Sequence, residues 1–355
     1  MSSSPQPTPA EQLATRVNEL QRRANDLQRE VLLASLKDEL ENLDTLLSQL
    51  PLRLQEARTA GYVFGNDLEP QAAALKSRWP ALRAAAQRQV AEQAQRLESA
   101  FRPLEAQMAD LNRKRGNVAL GRPLADQIAA GLDALQAKVA AARDAIRGSF
   151  DSFKAEAESL RGRLDQVKRM MTWLAEAKFK LLPTEGLYAA VEAKWDRDGK
   201  DDPKGLLYLT DQRLLFEQKE DVATKKFLFI ATEKEKVQQV LLDLPVAVVD
   251  EARASKKGLL GHEDHLDLAL AAEAPVRAAH FHLDGQDSKL WEQLLARAKA
   301  RDFDKERAVK VDQAVIAKAA NAPTQCANCG AAFTKPILRG QTEITCEFCG
   351  TVARF

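Results

Sequence analysis

Along the first half of the chain, apolar residues recur every three or four positions. Leu36, Leu40, Leu43, Leu47 and Leu50 alternate in steps of four and three, the a/d seam of a coiled coil. Upstream, Leu13, Leu20 and Leu27 keep a seven-residue repeat, with Val17 and Val31 beside it. Pro51 is expected to end or kink this first helix. A second helix is expected from Trp79-Pro80, where Val90, Leu97, Leu104 and Leu111 lie seven apart and Phe101 and Met108 fill the alternate positions. Pro103 falls inside that run and predicts a kink or a restart. The stretch RGNVALGRP (115–123) reads as a turn whose proline opens the next helix. In the third helix Leu132, Val139, Ile146, Phe153, Leu160, Val167 and Leu174 repeat by seven, while a second row shifts from Leu135 and Ala142 to Phe150, Ala157, Leu164 and Met171. A stripe that widens in this way faces more than one neighbour. Three long helices joined by short turns predict an antiparallel bundle over residues 11–180. Its seam could serve as a plain stalk, or it could drive homo-oligomerisation or partner docking.

At LLPTEGL the period changes from helical to alternating. LYAAVEAKW (187–195) reads as a strand, and GLLYLTDQRLLFEQ (205–218) as a hairpin turning at Thr210-Asp211-Gln212. KKFLFIAT (225–232), LPVAVVDEARA, HLDLALA and VRAAHFHL read as further strands. DSKLWEQLLARAKA (287–300) closes the segment as a helix with Leu290, Trp291, Leu294 and Leu295 on its apolar face. Short antiparallel strands capped by one amphipathic helix predict a small plugged barrel.

Composition adds a bound. The chain has 355 residues, with 52 Lys and Arg against 51 Asp and Glu and only 6% aromatics. The near-cancelling charge argues against nucleic acid, which selects a basic domain. Residues 1–10 (MSSSPQPTPA) lack the basic and apolar regions of a signal peptide and read as a disordered leader. No apolar run approaches the roughly 18 residues that span a bilayer. With thiols paired for metal rather than for disulfides, these features predict a cytoplasmic protein.

The hairpin GLLYLTDQRLLFEQ resembles the signature hairpin of GRAM and related bacterial pleckstrin-homology-like domains. LDLPVAVVDEARASKKGLLGHEDHLDLAL resembles their next strands, and Trp291 the tryptophan their last helix buries. The resemblance covers residues 183–300 and implies a binding module, lipid headgroups being the ligands of some eukaryotic relatives. Lys225, Lys226, Lys256 and Lys257, at expected turns, are then the candidate contacts for anionic lipid or a membrane surface. His262, His265, His280 and His282 show no zinc-ligand spacing and read as exposed hairpin and strand histidines, although alternation points His280 and His282 to one side.

All four cysteines lie in the tail, as CANCG (326–330) and CEFCG (346–350), with sixteen residues between Cys329 and Cys346. Paired CxxC at this spacing is a zinc signature. Zn²⁺ takes four thiolates at tetrahedral corners, and Gly330 and Gly350 permit the positive φ such a knuckle uses. Cys326, Cys329, Cys346 and Cys349 are therefore the expected ligands of one structural Zn²⁺. Residues 324–355 resemble a zinc ribbon, with a hairpin turning at Arg339-Gly340-Gln341 between the knuckles. Lys335, Arg339 and Arg354 are near enough in sequence to offset the site's negative charge. About thirty residues bury little core, so metal is expected to supply most of the folding energy.

The expected architecture is multidomain α + β: leader 1–10, helical coiled-coil domain 11–180, pleckstrin-homology-like domain 183–300, helical linker 301–323 and zinc ribbon 324–355. No phosphate loop, HExxH or nucleophile elbow is present, and the expectation is that the chain is not an enzyme. It reads as a scaffold or adaptor that docks through its coiled coil and binds protein partners through the sheet domain and the ribbon. The alternatives are a membrane-surface adaptor for anionic lipid, and a nucleic-acid-associated protein acting through the ribbon.

Overall fold

The computed structural model describes residues 7–197, 202–227, 230–258 and 262–355, the side chains of 221–235 excepted. The chain divides into two compact units, Met1–Pro51 with Pro70–Gly162, and Leu52–Glu69 with Arg163–Phe355.

The first unit is helical. Helix α1 (Pro9–Glu30) starts with a capping box. The Thr8 side chain accepts from the Glu11 N–H, and the Glu11 carboxylate accepts from the Thr8 N–H at 2.7 Å. A turn with Leu33 at φ 51° leads into α2 (Ala34–Thr59). Helix α3 (Leu68–Arg113) returns, and α4 (Val118–Gly148) and α5 (Asp151–Glu176) follow. Gln12, Arg16 and Arg23 of α1 each bond a residue of α4 110 positions later, namely Arg122, Asp126 and Asp133. A constant offset means α1 and α4 run parallel. Gln28 bonds Glu105 and Gln21 bonds Asn112, so α3 is antiparallel to α1. This is the expected bundle. Leu13, Leu20, Leu36, Leu40, Leu43 and Leu50 are all buried by the chain's own helices, so the seam is closed within one molecule.

The boundaries differ from the sequence reading. Pro51 sits inside α2, because Leu47, Leu50, Leu54 and Ala57 continue the buried stripe across it. The second helix begins at Leu68, where Leu68, Ala72, Leu75 and Trp79 already hold helical spacing and are buried. Pro80 and Pro103 both lie within α3. Gly121 belongs to α4 rather than to a turn. A Cβ there would stand 2.6 Å from Leu13 Cδ2, so the glycine lets α1 approach closely. The third helix is two, broken at Ser149-Phe150.

In the second unit seven antiparallel strands form one sheet in the order β4-β3-β2-β1-β7-β6-β5. They are β1 (Leu187–Asp196), β2 (Lys204–Thr210), β3 (Arg213–Phe227), β4 (Ile230–Pro245), β5 (Val249–Lys257), β6 (Glu263–Leu270) and β7 (Ala278–Asp284). KKFLFIAT is not a separate strand. Its described residues end β3 and begin β4, with 228–229 outside the described residues. The strand count and the closing helix α6 (Ser288–Lys299) support a pleckstrin-homology-like arrangement, but the barrel is not closed. Edges β4 and β5 do not pair among the described residues. Helix α6 lies beside β5 instead: Ala254 N–H donates to Glu292 at 2.9 Å, and Lys299 Nζ donates to the Val249 and Asp250 carbonyls.

Strand β2 and the start of β3 are buried on both faces, which explains why GLLYLT is a continuous apolar run rather than an alternating one. Leu207, Leu209, Leu214 and Phe216 meet Trp291, Leu294 and Leu295 of α6 on one face. Leu206, Tyr208 and Leu215 meet Ala57, Val167, Met170 and Phe179 on the other. Leu290, expected on the apolar face, is 44% exposed, and Ala298 takes its place. The loop before α3 is part of this core. Phe64 is wholly buried, lies edge-on to Tyr188 and Phe303, and carries Val63, whose carbonyl accepts from Ala308 at 2.8 Å. After α6 come a short 3₁₀ turn (Asp302–Glu306), helix α7 (Gln313–Ala320) and the two-stranded ribbon β8 (Glu343–Thr345) and β9 (Val352–Arg354).

Candidate metal centre

The two CxxC turns fold alike. Gly330 N–H donates to the Cys326 carbonyl at 2.9 Å, and Gly350 N–H to the Cys346 carbonyl at 2.9 Å. Both glycines sit at positive φ, 73° and 72°. Each turn closes by a further bond, Cys326 N–H to Ala331 at 2.8 Å and Cys346 N–H to Thr351 at 2.9 Å. The knuckles bring the four sulfurs within 4.8 Å of one another. Cys326 Sγ stands 3.6 Å from Cys349 Sγ, and Cys329 Sγ 3.6 Å from Cys346 Sγ. Thiolates about 2.3 Å from a tetrahedral Zn²⁺ lie about 3.8 Å apart, so the cluster has the dimensions of a zinc site. Cys326 and Cys346 are buried, Cys329 and Cys349 exposed. The Thr351 hydroxyl, 3.3 Å from the Cys349 sulfur, and the Thr351 N–H hold that thiol down, to about 5.

The ribbon strands are placed differently from the expectation. β8 and β9 flank the second knuckle, Ile344 opposite Ala353. Arg339-Gly340-Gln341 is a turn, with Gln341 N–H donating to Leu338 at 3.1 Å, but it serves as an anchor. Arg339 donates to Asp211 in the β2–β3 turn and to Asp304 at 3.1 Å. Its carbonyl accepts from the Gln212 side chain at 3.0 Å. A Cβ on Gly340 (φ 87°) would fall 2.0 Å from the Pro183 carbonyl oxygen, so only glycine permits this contact. Lys335 and Arg354 pair with Glu347 and Glu343. None of the three cations expected to balance the sulfurs is reserved for them.

Beneath the anchor lies a buried charge network. Arg213 forks onto Glu185 with bonds of 2.9 and 2.8 Å and donates to Asp243 at 2.8 Å. The Thr210 hydroxyl donates to Glu185 at 2.6 Å, and Asp211 accepts from Gly186 N–H at 3.0 Å and from Arg307 at 2.6 Å. No spacing in the sequence signals these partners.

The candidate lipid contacts lie on two strands, Lys225 and Lys226 on β3 and Lys256 and Lys257 on β5. Lys256 is paired with Asp264 at 2.5 Å and lies 3.6 Å from Asp287. Lys257 ends β5, and Lys225 and Lys226 lie near the end of β3 with side chains outside the described residues. The histidines depart from the bland reading. His265 is 9% exposed and stacks with His280 and with His282 at ring distances of 5.0 and 4.7 Å. Burial holds its imidazolium below the ordinary histidine range. His262 is exposed, as expected. No helix among the described residues is long and apolar enough to cross a membrane.

No protein-family model matches the chain, and no curated protein matches it in sequence. Neither comparison shows membership of the GRAM family. Among solved structures the chain is similar to PDZ-RhoGEF DH/PH domains in complex with GTP-γ-S-activated RhoA, at 12% identity, covering 84% of this chain and 97% of that one, TM-score 0.26. It is similar to the DH/PH fragment of PDZRHOGEF in complex with human RhoA, at 11% identity over 83% and 96%, TM-score 0.28. A third is Vav1 with an allosteric inhibitor, in which Vav1 inhibitors block GEF activity, at 10% identity over 93% and 96%, TM-score 0.23. These neighbours correct the expectation that the chain is not an enzyme: they are RhoGEF and Vav1 structures, and that exclusion is dropped. At such TM-scores the likeness assigns no activity to this chain.

Proposed function

We propose that residues 324–355 are a structural zinc ribbon and that the chain is a protein-binding adaptor whose sheet domain is extended by the docked ribbon. In this reading the pleckstrin-homology-like segment 183–300, the linker 301–323 and the ribbon act as one binding platform, and the helical segment 11–180 is a docking surface of its own. The reading is carried by the four-sulfur cluster. Four protein thiolates fill every position of a tetrahedral ion and leave none for water or substrate. The metal then acts by fixing the knuckles. The second knuckle holds Phe348 77% exposed, with Val352 of β9 46% exposed nearby in sequence. Apolar groups presented on a rigid metal-held turn suit a protein partner.

Two measurements test this. Elemental analysis of the full chain, purified without chelator, is expected to give one zinc per chain, and Cys326→Ser with Cys346→Ser is expected to abolish it. Affinity capture from the native cell should then retain its partners with wild type and lose them with Phe348→Ala, whose zinc content is unchanged. A metal-free wild type removes the ribbon; undiminished capture by Phe348→Ala removes the docking surface. The lipid and nucleic-acid alternatives have no observation of their own, because Lys256, Lys335 and Arg354 are already paired with carboxylates.

A further inference from the structure

A second cation site is assembled on the face of β6 and β7 that points away from the α6 core. Leu266, Leu268, Phe281 and Leu283 face that core, so alternation sends Glu263, His265, Asp267, His280 and His282 to the other face. Register does the rest. His265 lies opposite His282, and Asp267 opposite His280.

The hydrogen bonds fix the tautomers. The Asp267 carboxylate cannot donate, so His280 Nδ1 carries the proton in their bond. With that single ring proton, His280 presents a lone pair at Nε2 to His265 Nδ1, 2.9 Å away. That leaves His265 Nε2 as a bare lone pair, and it faces Glu263 Oε2 at 3.3 Å. In this tautomer chain the gap between the two acceptors takes a cation, either a proton or a metal ion, and the third histidine is in reach of a metal there: Glu263, His265 and His282 each place a ligand atom within 4.8 Å of the others.

We infer that Glu263, His265 and His282 bind a divalent transition-metal ion, with Asp267 and His280 orienting His265 from behind. Two imidazoles and a carboxylate suit Zn²⁺, Ni²⁺ or Cu²⁺, and a carboxylate–histidine relay behind a ligand is a recurrent metal-site support. Ligands about 2.1 Å from a tetrahedral ion lie about 3.4 Å apart. Closing to that distance asks exposed Glu263 to rotate and half-buried His282 to turn out of its near-parallel stack on His265. Three protein ligands leave a coordination position open, unlike the thiolate site. The inference does not depend on the ribbon's metal.

The test uses the full chain, loaded with one equivalent of Zn²⁺ and then titrated with Co²⁺ under visible absorption. A second equivalent is expected, with weak nitrogen- and oxygen-type bands and no thiolate charge-transfer band. His282→Ala should weaken it by more than about tenfold, and Asp267→Asn by about tenfold to hundredfold with the same spectrum. Cys326→Ser with Cys346→Ser should leave it in place. If His265→Ala fails to fold, the half-buried His282→Ala still decides. No second equivalent in wild type overturns the site, as does a second equivalent that His282→Ala leaves unchanged. A thiolate charge-transfer band in the Co²⁺ titration would place the ion at the cysteines instead and also overturn it.

Discussion

Arg339 donates to the carboxylate of Asp211, 128 residues earlier in the chain, and Arg307 donates to the same oxygen at 2.6 Å. One buried aspartate thus ties the ribbon, the segment after α6 and the β2–β3 turn together. Asp211→Ala leaves two largely buried guanidiniums facing each other and is expected to cost about 3–5 kcal/mol. Arg339→Ala removes charged hydrogen bonds but keeps the Arg307 pair, and is expected to cost about 1.5–3 kcal/mol. Urea unfolding measures both. Wild-type stability in Arg339→Ala would show the anchor to be ornamental.

Gly340→Ala tests the same docking without touching charge. The new methyl meets backbone, not a movable side chain, at a positive φ. The expected loss is roughly 1–3 kcal/mol, with faster amide exchange at Leu338–Gln341 and in the Thr210–Arg213 turn. Unchanged exchange at both places would mean the ribbon does not rest on that turn.

The Glu185–Arg213 pair, 0% and 9% exposed at the side chains, is expected to behave as a buried ion pair. Glu185→Leu alone removes the fork on Arg213 but leaves its Asp243 pair, and should cost about 1.5–3 kcal/mol. Glu185→Leu with Arg213→Met should cost less than the two single changes together. Additivity of the single effects in thermal unfolding would contradict this.

Phe64→Ala should cost about 3–5 kcal/mol by opening a cavity among Tyr188, Phe303 and the sheet. The loss should appear in the unfolding of the sheet unit. A substitution that lowered only the stability of the helical unit would refute the placement.

The bundle and the strands are legible in the sequence because burial there is periodic. Leu13, Leu20 and Leu27 repeat along α1 and Leu36 through Leu50 along α2, and LYAAVEAKW and HLDLALA match β1 and β6 within a few residues. The four cysteines are legible because a CxxC turn is local chemistry. Proline positions mislead, since packing on both sides of Pro51 and Pro103 carries the helices through. Asp211, Arg307 and Arg339 are hidden because each partner is about a hundred residues or more from the aspartate. The histidine cluster needs the register of β6 on β7, which alternation alone does not supply. Phe64 is a lone aromatic in a loop, with no period to announce it.

That loop has a consequence for how the protein is made. Asn66 donates to the Lys305 carbonyl, 239 residues later, so the pocket for Phe64 cannot exist until most of the polypeptide has left the ribosome. At about 5–20 residues per second, the phenylalanine waits roughly 12–48 s for its neighbours. During that interval a nascent chain carries an unsatisfied aromatic, a natural foothold for a chaperone. A gene fragment beginning at the compositional break near residue 183 would never receive it.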